Sequence, residues 1–138
     1  MAYLSERLAV LSRPECLELL GQASIGRVGV SIGALPAVLP VNYAMVDHAI
    51  VFRTAPGTRL SAALRGAVVA FEADAVDSDA ETGWSVLVVG RAEEVTEPAL
   101  VGKARALGLE AWAPGSRDHF VSIAIERVSG RRIEAKIP

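Results

Sequence analysis

Strand-like runs follow one another along this chain with too little helix between them for a parallel sheet. Residues 25–32 are rich in β-branched side chains punctuated by glycine, the composition of a strand. The turn Gly33-Ala34-Leu35-Pro36 leads into residues 37–45, which alternate. Ala37, Leu39, Val41, Tyr43 and Met45 face one way; Val38, Pro40, Asn42 and Ala44 face the other. Pro40 has no backbone donor, so this strand runs along an edge or is broken by a bulge there. Asp47-His48 makes the next turn, and residues 49–54 complete a hairpin. Residues 67–73, 84–92 and 120–128 read as further strands, and 131–137 as a last one. A parallel sheet needs a crossover, usually helical, between successive strands. Consecutive strands joined by tight turns instead predict a mainly β (α+β) antiparallel barrel of about six strands, whose closure also removes exposed edges.

Three short helices fit at its periphery. Ser12-Arg13-Pro14-Glu15 carries a capping serine, an early proline and an acid suited to the positive end of a helix. Leu17, Leu20 and Ala23 then share a side, and Gly21 stops the helix early. Thr58 caps a second helix over residues 59–64, closed by Gly66. Residues 98–109 place Leu100, Val101, Ala104 and Leu107 at helical spacing. Acidic residues 76–83 read as a loop. Residues 84–92 are apolar on both faces, with Trp84, Val86 and Val88 on one and Leu87 and Val89 on the other. A strand of that kind is buried on both sides, and in so small a chain the second covering layer is expected to be another subunit.

A length of 138 residues fits one domain, taken as residues 1–138. Fourteen basic and sixteen acidic residues give a net charge of −2, which offers no electrostatic footprint for nucleic acid. A single cysteine, Cys16, excludes an internal disulfide. The first residues lack the pattern of a signal peptide, and no apolar run is long enough to span a membrane. The expectation is a soluble cytoplasmic protein. His48, His119 and Cys16 show no zinc spacing. There is no phosphate loop ending in Gly-Lys-Ser/Thr, no dinucleotide fingerprint and no nucleophile elbow.

One segment concentrates anion-binding chemistry. Residues 50–60 run from a strand ending at Arg53-Thr54, through Ala55-Pro56-Gly57, into a helix start at Thr58-Arg59-Leu60. Two guanidinium groups, two hydroxyls and the free amides of a helix start thus fall within one short stretch, a combination suited to phosphate. The bland alternative is a capped turn with two solvated arginines. Asn42, beside Pro40, offers donors and an acceptor on a strand face; it also fits a plain edge strand. Trp84, next to Gly83, can stack on a planar ring or simply pack. Trp112 reads as a loop anchor or a lid, and His48 as a solvated turn residue. None of these is an evident acid, base or nucleophile, so no catalytic residue is assigned.

The order Leu39-Pro40-Val41-Asn42-Tyr43, Ile50-Val51-Phe52-Arg53-Thr54, Gly57-Thr58-Arg59-Leu60 and Gly83-Trp84-Ser85-Val86-Leu87-Val88-Val89-Gly90-Arg91-Ala92 resembles the pyridoxamine 5′-phosphate oxidase-like family of flavin-binding split barrels. The likeness is greatest to its short bacterial branch, which includes nitroimidazole-resistance proteins, and it runs from about residue 14 to about residue 128. The resemblance implies a split antiparallel barrel, a homodimer with cofactor sites at the subunit interface, and FMN as the ligand; some relatives take a deazaflavin or haem instead. By analogy the backbone of Pro40, Val41, Asn42 and Tyr43 lines the flavin ring. Phe52, Arg53 and Thr54 run beside the ribityl chain, Thr58, Arg59 and Leu60 surround the phosphate, and Trp84 approaches from the other subunit. Family members that oxidise pyridoxal vitamers carry a longer C-terminal segment with arginine and histidine, which this chain does not match, so vitamer oxidation is not expected. The function implied is an FMN-dependent oxidoreductase acting on a small molecule, with a non-catalytic cofactor-binding module as the alternative.

Overall fold

The computed structural model describes residues 2–3, 7–109 and 119–135. Its strands are β1 (Ala2–Tyr3), β2 (Leu8–Val10), β3 (Ile25–Ile32), β4 (Leu35–Val46), β5 (Ala49–Arg53), β6 (Val68–Asp77), β7 (Thr82–Glu94), β8 (Phe120–Ala124) and β9 (Arg127–Ile133). Its helices are α1 (Arg13–Leu20), α2 (Arg59–Leu64) and α3 (Pro98–Ala106). All the pairings are antiparallel. Six strands close a barrel in the order β7-β6-β3-β4-β5-β8, with β8 returning to β7. The remaining strands extend one side as β9, β2 and β1. Among the described residues no helix is long and apolar enough to cross a membrane.

Two long strands make the barrel split. β4 pairs with β3 from Leu35 to Asn42, then with β5 from Tyr43 to Val46. Pro40 therefore lies where β4 has a neighbour on one side only, which is where a residue without an N–H belongs. β7 pairs with β9 from Gly83 to Val89 and with β8 from Ala92 to Glu94. Gly90 sits at that change of partner, where a β-carbon would come within 1.6 Å of the Ala124 carbonyl oxygen. Only glycine lets the two backbones approach so closely.

Several boundaries differ from expectation, each for a local reason. Half of residues 76–83 belong to strands, because the Asp77 carboxylate accepts from the Asp79 and Ala80 amides and confines the turn to the residues between Asp77 and Thr82. The run 120–128 is broken between β8 and β9, where Glu126 N–H turns back onto the Ala124 carbonyl. α3 stops at Ala106, ahead of Gly108 with φ +62°. β1 and β2 were not expected, and residues 136–137 of the anticipated last strand lie outside the described residues. α1 begins as its sequence predicts: Ser12 and Glu15 form a reciprocal capping box.

The core fills the barrel. Phe52, Phe71, Ile50, Val28, Val86, Val88 and Ile123 are buried in one cluster, and Cys16, Leu19 and Leu20 of α1 plug its end. A second cluster, with Val51, Phe120 and Ala104, lies beneath α3. The outward face of β7 is less covered: Leu87 is 44% exposed, and Val68 and Val76 of β6 and Ile133 of β9 are exposed as well.

Candidate functional site

The strand–turn–helix segment forms as its sequence predicts. β5 ends at Arg53, and Gly57 takes φ +75°, the left-handed conformation that suits glycine in such a turn. Thr58 caps α2, its hydroxyl donating to the Ala55 carbonyl and accepting from the Ser61 amide, both at 3.0 Å. That hydroxyl is therefore committed to the turn. The groups left to meet an anion are the first two helical amides, of Arg59 and Leu60, which have no partner among the described residues, and the exposed Arg59 guanidinium. Leu60 packs its side chain against the core. Arg53 points elsewhere: its Nη1 donates to the Leu109 carbonyl at 3.0 Å, and its guanidinium lies 5.8 Å from the centre of the Phe120 ring. Thr54 is buried, and its amide donates to the His119 carbonyl.

β4 runs alongside this segment. Tyr43 pairs with Phe52 in register, so Pro40, Val41 and Asn42 continue past Arg53 and Thr54 just as the two strands part. Val41, Tyr43 and Phe52 turn their side chains into the core. What they offer a ligand is backbone on a rigid floor. Tyr43 is fixed by donating its hydroxyl to the Leu20 carbonyl at 2.6 Å and by an edge-on contact with Phe71, ring centres 4.7 Å apart. Burial foremost, then the nearby Glu72 charge, pushes its phenol up to about 12.

Trp84 is not brought to this place within one chain. It pairs with Ala75 on β6 and Arg132 on β9. The corner next to α2 is reached only at Ala92, whose backbone bonds Gly66 and Ala67. Eight strand residues separate the two, about 26 Å at the usual rise. Trp84 instead borders an open groove of about 520 Å³ with Val76, Ile133, Asp74 and Arg131. Trp112 lies outside the described residues.

The sequence reading missed one cluster beside the segment. His119 Nδ1 lies 2.9 Å from Glu94 Oε1, and its Nε2 lies 3.5 Å from Ser61 Oγ. The order serine–histidine–carboxylate is that of a hydrolytic triad. Here the space between the groups is only about 10 Å³, and Ser61 is 5% exposed, so no acyl substrate can enter. The cluster ties the first turn of α2 to β7 and to the start of β8. Its members lie far apart in sequence and only the barrel register brings them together, so no local motif announces them. Among the described residues no three His, Cys, Asp or Glu side chains could hold a metal ion.

Known proteins share this architecture. A sequence profile of the pyridoxamine 5′-phosphate oxidase family matches residues 12–132. An uncharacterized protein of Mycobacterium tuberculosis is 42% identical over 130 residues, covering 91% of this chain and 85% of its own length. The solved structure of an FAD-binding protein from Mycobacterium smegmatis superposes with a TM-score of 0.76 at 34% identity, over 91% of this chain and 97% of that one. An FAD-binding protein from Mesorhizobium loti superposes with a TM-score of 0.72 at 27% identity, over 92% of this chain and 99% of that one.

Proposed function

Because the chain belongs to the pyridoxamine 5′-phosphate oxidase family, we propose that it is a flavin-dependent oxidoreductase that holds its flavin between two copies of itself. The observation that carries the reading is the start of α2. Among the described residues the Arg59 and Leu60 amides have no partner, Arg59 is exposed, and the space around Gly57 is open, with nothing within 4 Å of a β-carbon placed on it. That donor set fits a phosphate. FMN and FAD share the riboflavin 5′-phosphate this site would take; the sequence resemblance implies FMN, and two relatives are FAD-binding proteins.

Arg59 and the amides of Arg59 and Leu60 anchor the phosphate. The backbone of Pro40, Val41 and Asn42 supports the ring edge, held flat by the buried Tyr43 and Phe52 beneath it. Phe52, Arg53 and Thr54 border the chain between ring and phosphate. The partner's Trp84 covers the ring, which accounts for a tryptophan so far from the phosphate segment of its own chain. The flavin, when bound, supplies the hydride or electron transfer, and the protein binds, orients and excludes water.

The absorbance spectrum of the purified protein, followed by titration with FMN, FAD and riboflavin, tests this. A flavin spectrum is expected. Arg59→Ala should weaken FMN or FAD binding by about tenfold or more while leaving riboflavin binding unchanged. A colourless protein that binds neither nucleotide overturns the proposal, and a Soret band or selective deazaflavin binding replaces its cofactor. A bound flavin that neither NADH nor NADPH reduces in the absence of oxygen removes the oxidoreductase part.

A further inference from the structure

Apart from Tyr43, the buried polar residues among those described are Thr54 and Ser61. They stand at the two ends of the turn assigned to the flavin phosphate: Thr54 follows β5, and Ser61 lies in the first turn of α2. Both meet the same residue. The Thr54 amide donates to the His119 carbonyl at 3.0 Å, and Ser61 Oγ lies 3.5 Å from His119 Nε2. The other ring nitrogen, Nδ1, lies 2.9 Å from Glu94 Oε1 at the end of β7, and the His119 side chain is only 15% exposed. A carboxylate oxygen only accepts, so in the neutral imidazole Nδ1 carries the proton. Nε2 is then the acceptor and the Ser61 hydroxyl its donor. One histidine thus joins the end of β5, through its backbone, to α2, through its ring, and Glu94 sets which way the ring faces. Between the two joined points, residues 55–60 include Gly57 in open space and the exposed Arg59. A buried alanine at position 61 would carry no polar group to satisfy; what the hydroxyl adds is a bond with a direction.

We infer that His119 is a positioning residue for the phosphate end of the flavin: it fixes Ser61 relative to Thr54, and so holds the turn that carries Arg59 in its binding shape before the ligand arrives. His119 acts through these two residues and not on the ligand, because the space beside its ring and Ser61 is only about 10 Å³, too small for a phosphate. With the ring contact gone, the turn keeps its join at Thr54, which is backbone to backbone, and loses the one at Ser61. Binding a phosphate then has to order that turn as well, and the ordering is subtracted from the affinity. The ring and ribityl parts of the flavin rest on β4 and β5, whose pairing does not involve the imidazole, so the loss falls on the phosphate alone. This deepens the flavin reading above and rests on it. It adds what keeps the phosphate site in shape.

Titration of full-length variants with riboflavin and with FMN or FAD, whichever nucleotide wild type binds, tests the role, and the ratio of the two affinities is the readout. His119→Ala should weaken the nucleotide by about fivefold or more and leave riboflavin unchanged. His119→Gln, whose amide reaches the place of Nε2, should recover most of that loss; His119→Asn, which reaches only the place of Nδ1, should not. A fold that is merely loosened would move both ligands alike and would not separate glutamine from asparagine. Where His119→Ala fails to fold, Ser61→Ala carries the test, with the same nucleotide-selective loss expected. Equal losses for nucleotide and riboflavin, a His119→Gln no better than His119→Asn, or a Ser61→Ala that binds the nucleotide as wild type does, each overturns the positioning role. In those cases Arg59→Ala still weakens the nucleotide selectively if the flavin reading holds. A wild-type protein that binds no flavin overturns both.

Discussion

Removing the Tyr43 hydroxyl isolates one interaction that fastens α1 to the barrel. In Tyr43→Phe the ring, its contact with Phe71 and its place opposite Phe52 all remain. What goes is the 2.6 Å hydrogen bond to the Leu20 carbonyl, in a residue only 3% exposed. The loss includes the cost of a carbonyl left without that donor, about 1–3 kcal/mol. For 138 residues the unfolding entropy is about 0.29 kcal/mol/K, so Tm should fall by about 3–10 °C. Alkali supplies a second readout. The folded phenol titrates at about 12, above its usual 10. Below about pH 10 the phenol is neutral in both folded and unfolded chains and the stabilisation is complete; it is lost as pH rises through about 12, because the unfolded chain ionises first. Phenylalanine has no such loss, so the gap between wild type and variant should narrow over that range. Thermal unfolding at pH 7.5 and urea unfolding from pH 9 to 12 measure both effects. A Tm drop below about 1 °C, or a gap unchanged with pH, would refute the reasoning.

Gly90→Ala should prevent normal closure of the barrel, because its β-carbon would collide with backbone at Ala124 and no flexible side chain is there to give way; a loss of about 3 kcal/mol or more, or of soluble protein altogether, is expected. Gly102→Ala on the exposed side of α3, with nothing within 4 Å, should be neutral or stabilising by up to about 1 kcal/mol in the same urea assay, and equal effects at both glycines would contradict the close approach. Burial first, then hydrogen bonding to and repulsion from Asp74, holds the Glu72 carboxyl up at about 7 despite Arg27. Its contribution is complete below the usual carboxylate range and is lost as pH rises through about 7, so Glu72→Gln should gain on wild type between pH 5 and pH 8; urea midpoints that keep the same difference at both values would count against it.

The central strands and their inward faces were legible because β4 and β7 write their periodicity plainly: Val41 and Tyr43 inward, Val86 and Val88 inward, and proline where β4 lacks a second neighbour. The helix starts were legible for the same kind of reason, since Ser12 and Thr58 cap locally. Long-range pairing was not. The break between β8 and β9 follows from both strands seeking β7, and nothing within residues 120–128 records that competition. β2 has three residues and becomes a strand through its pairing with β9 on one side and β1 on the other. At the candidate site, Thr58 and Arg59 stood out together, yet sequence could not show that the threonine hydroxyl is consumed by Ala55. Nor could it show that Arg53 turns to Leu109, or that Ser61, His119 and Glu94 meet.

The seam between β2 and β9 is the longest-range strand pairing among the described residues. Leu11 bonds Gly130, and Cys16 fills the space that glycine leaves. Joining residues that far apart carries a closure entropy of about 4 kcal/mol, against a far smaller one for the hairpins β4–β5 and β6–β7. The hairpins are therefore expected to form before α1 docks against β9. Contacts of such long range slow folding. They also make this seam the natural first point of opening, so amide exchange at Leu11, whose N–H donates to the Gly130 carbonyl, should outpace that of Val86 and Val88 in the middle of the barrel.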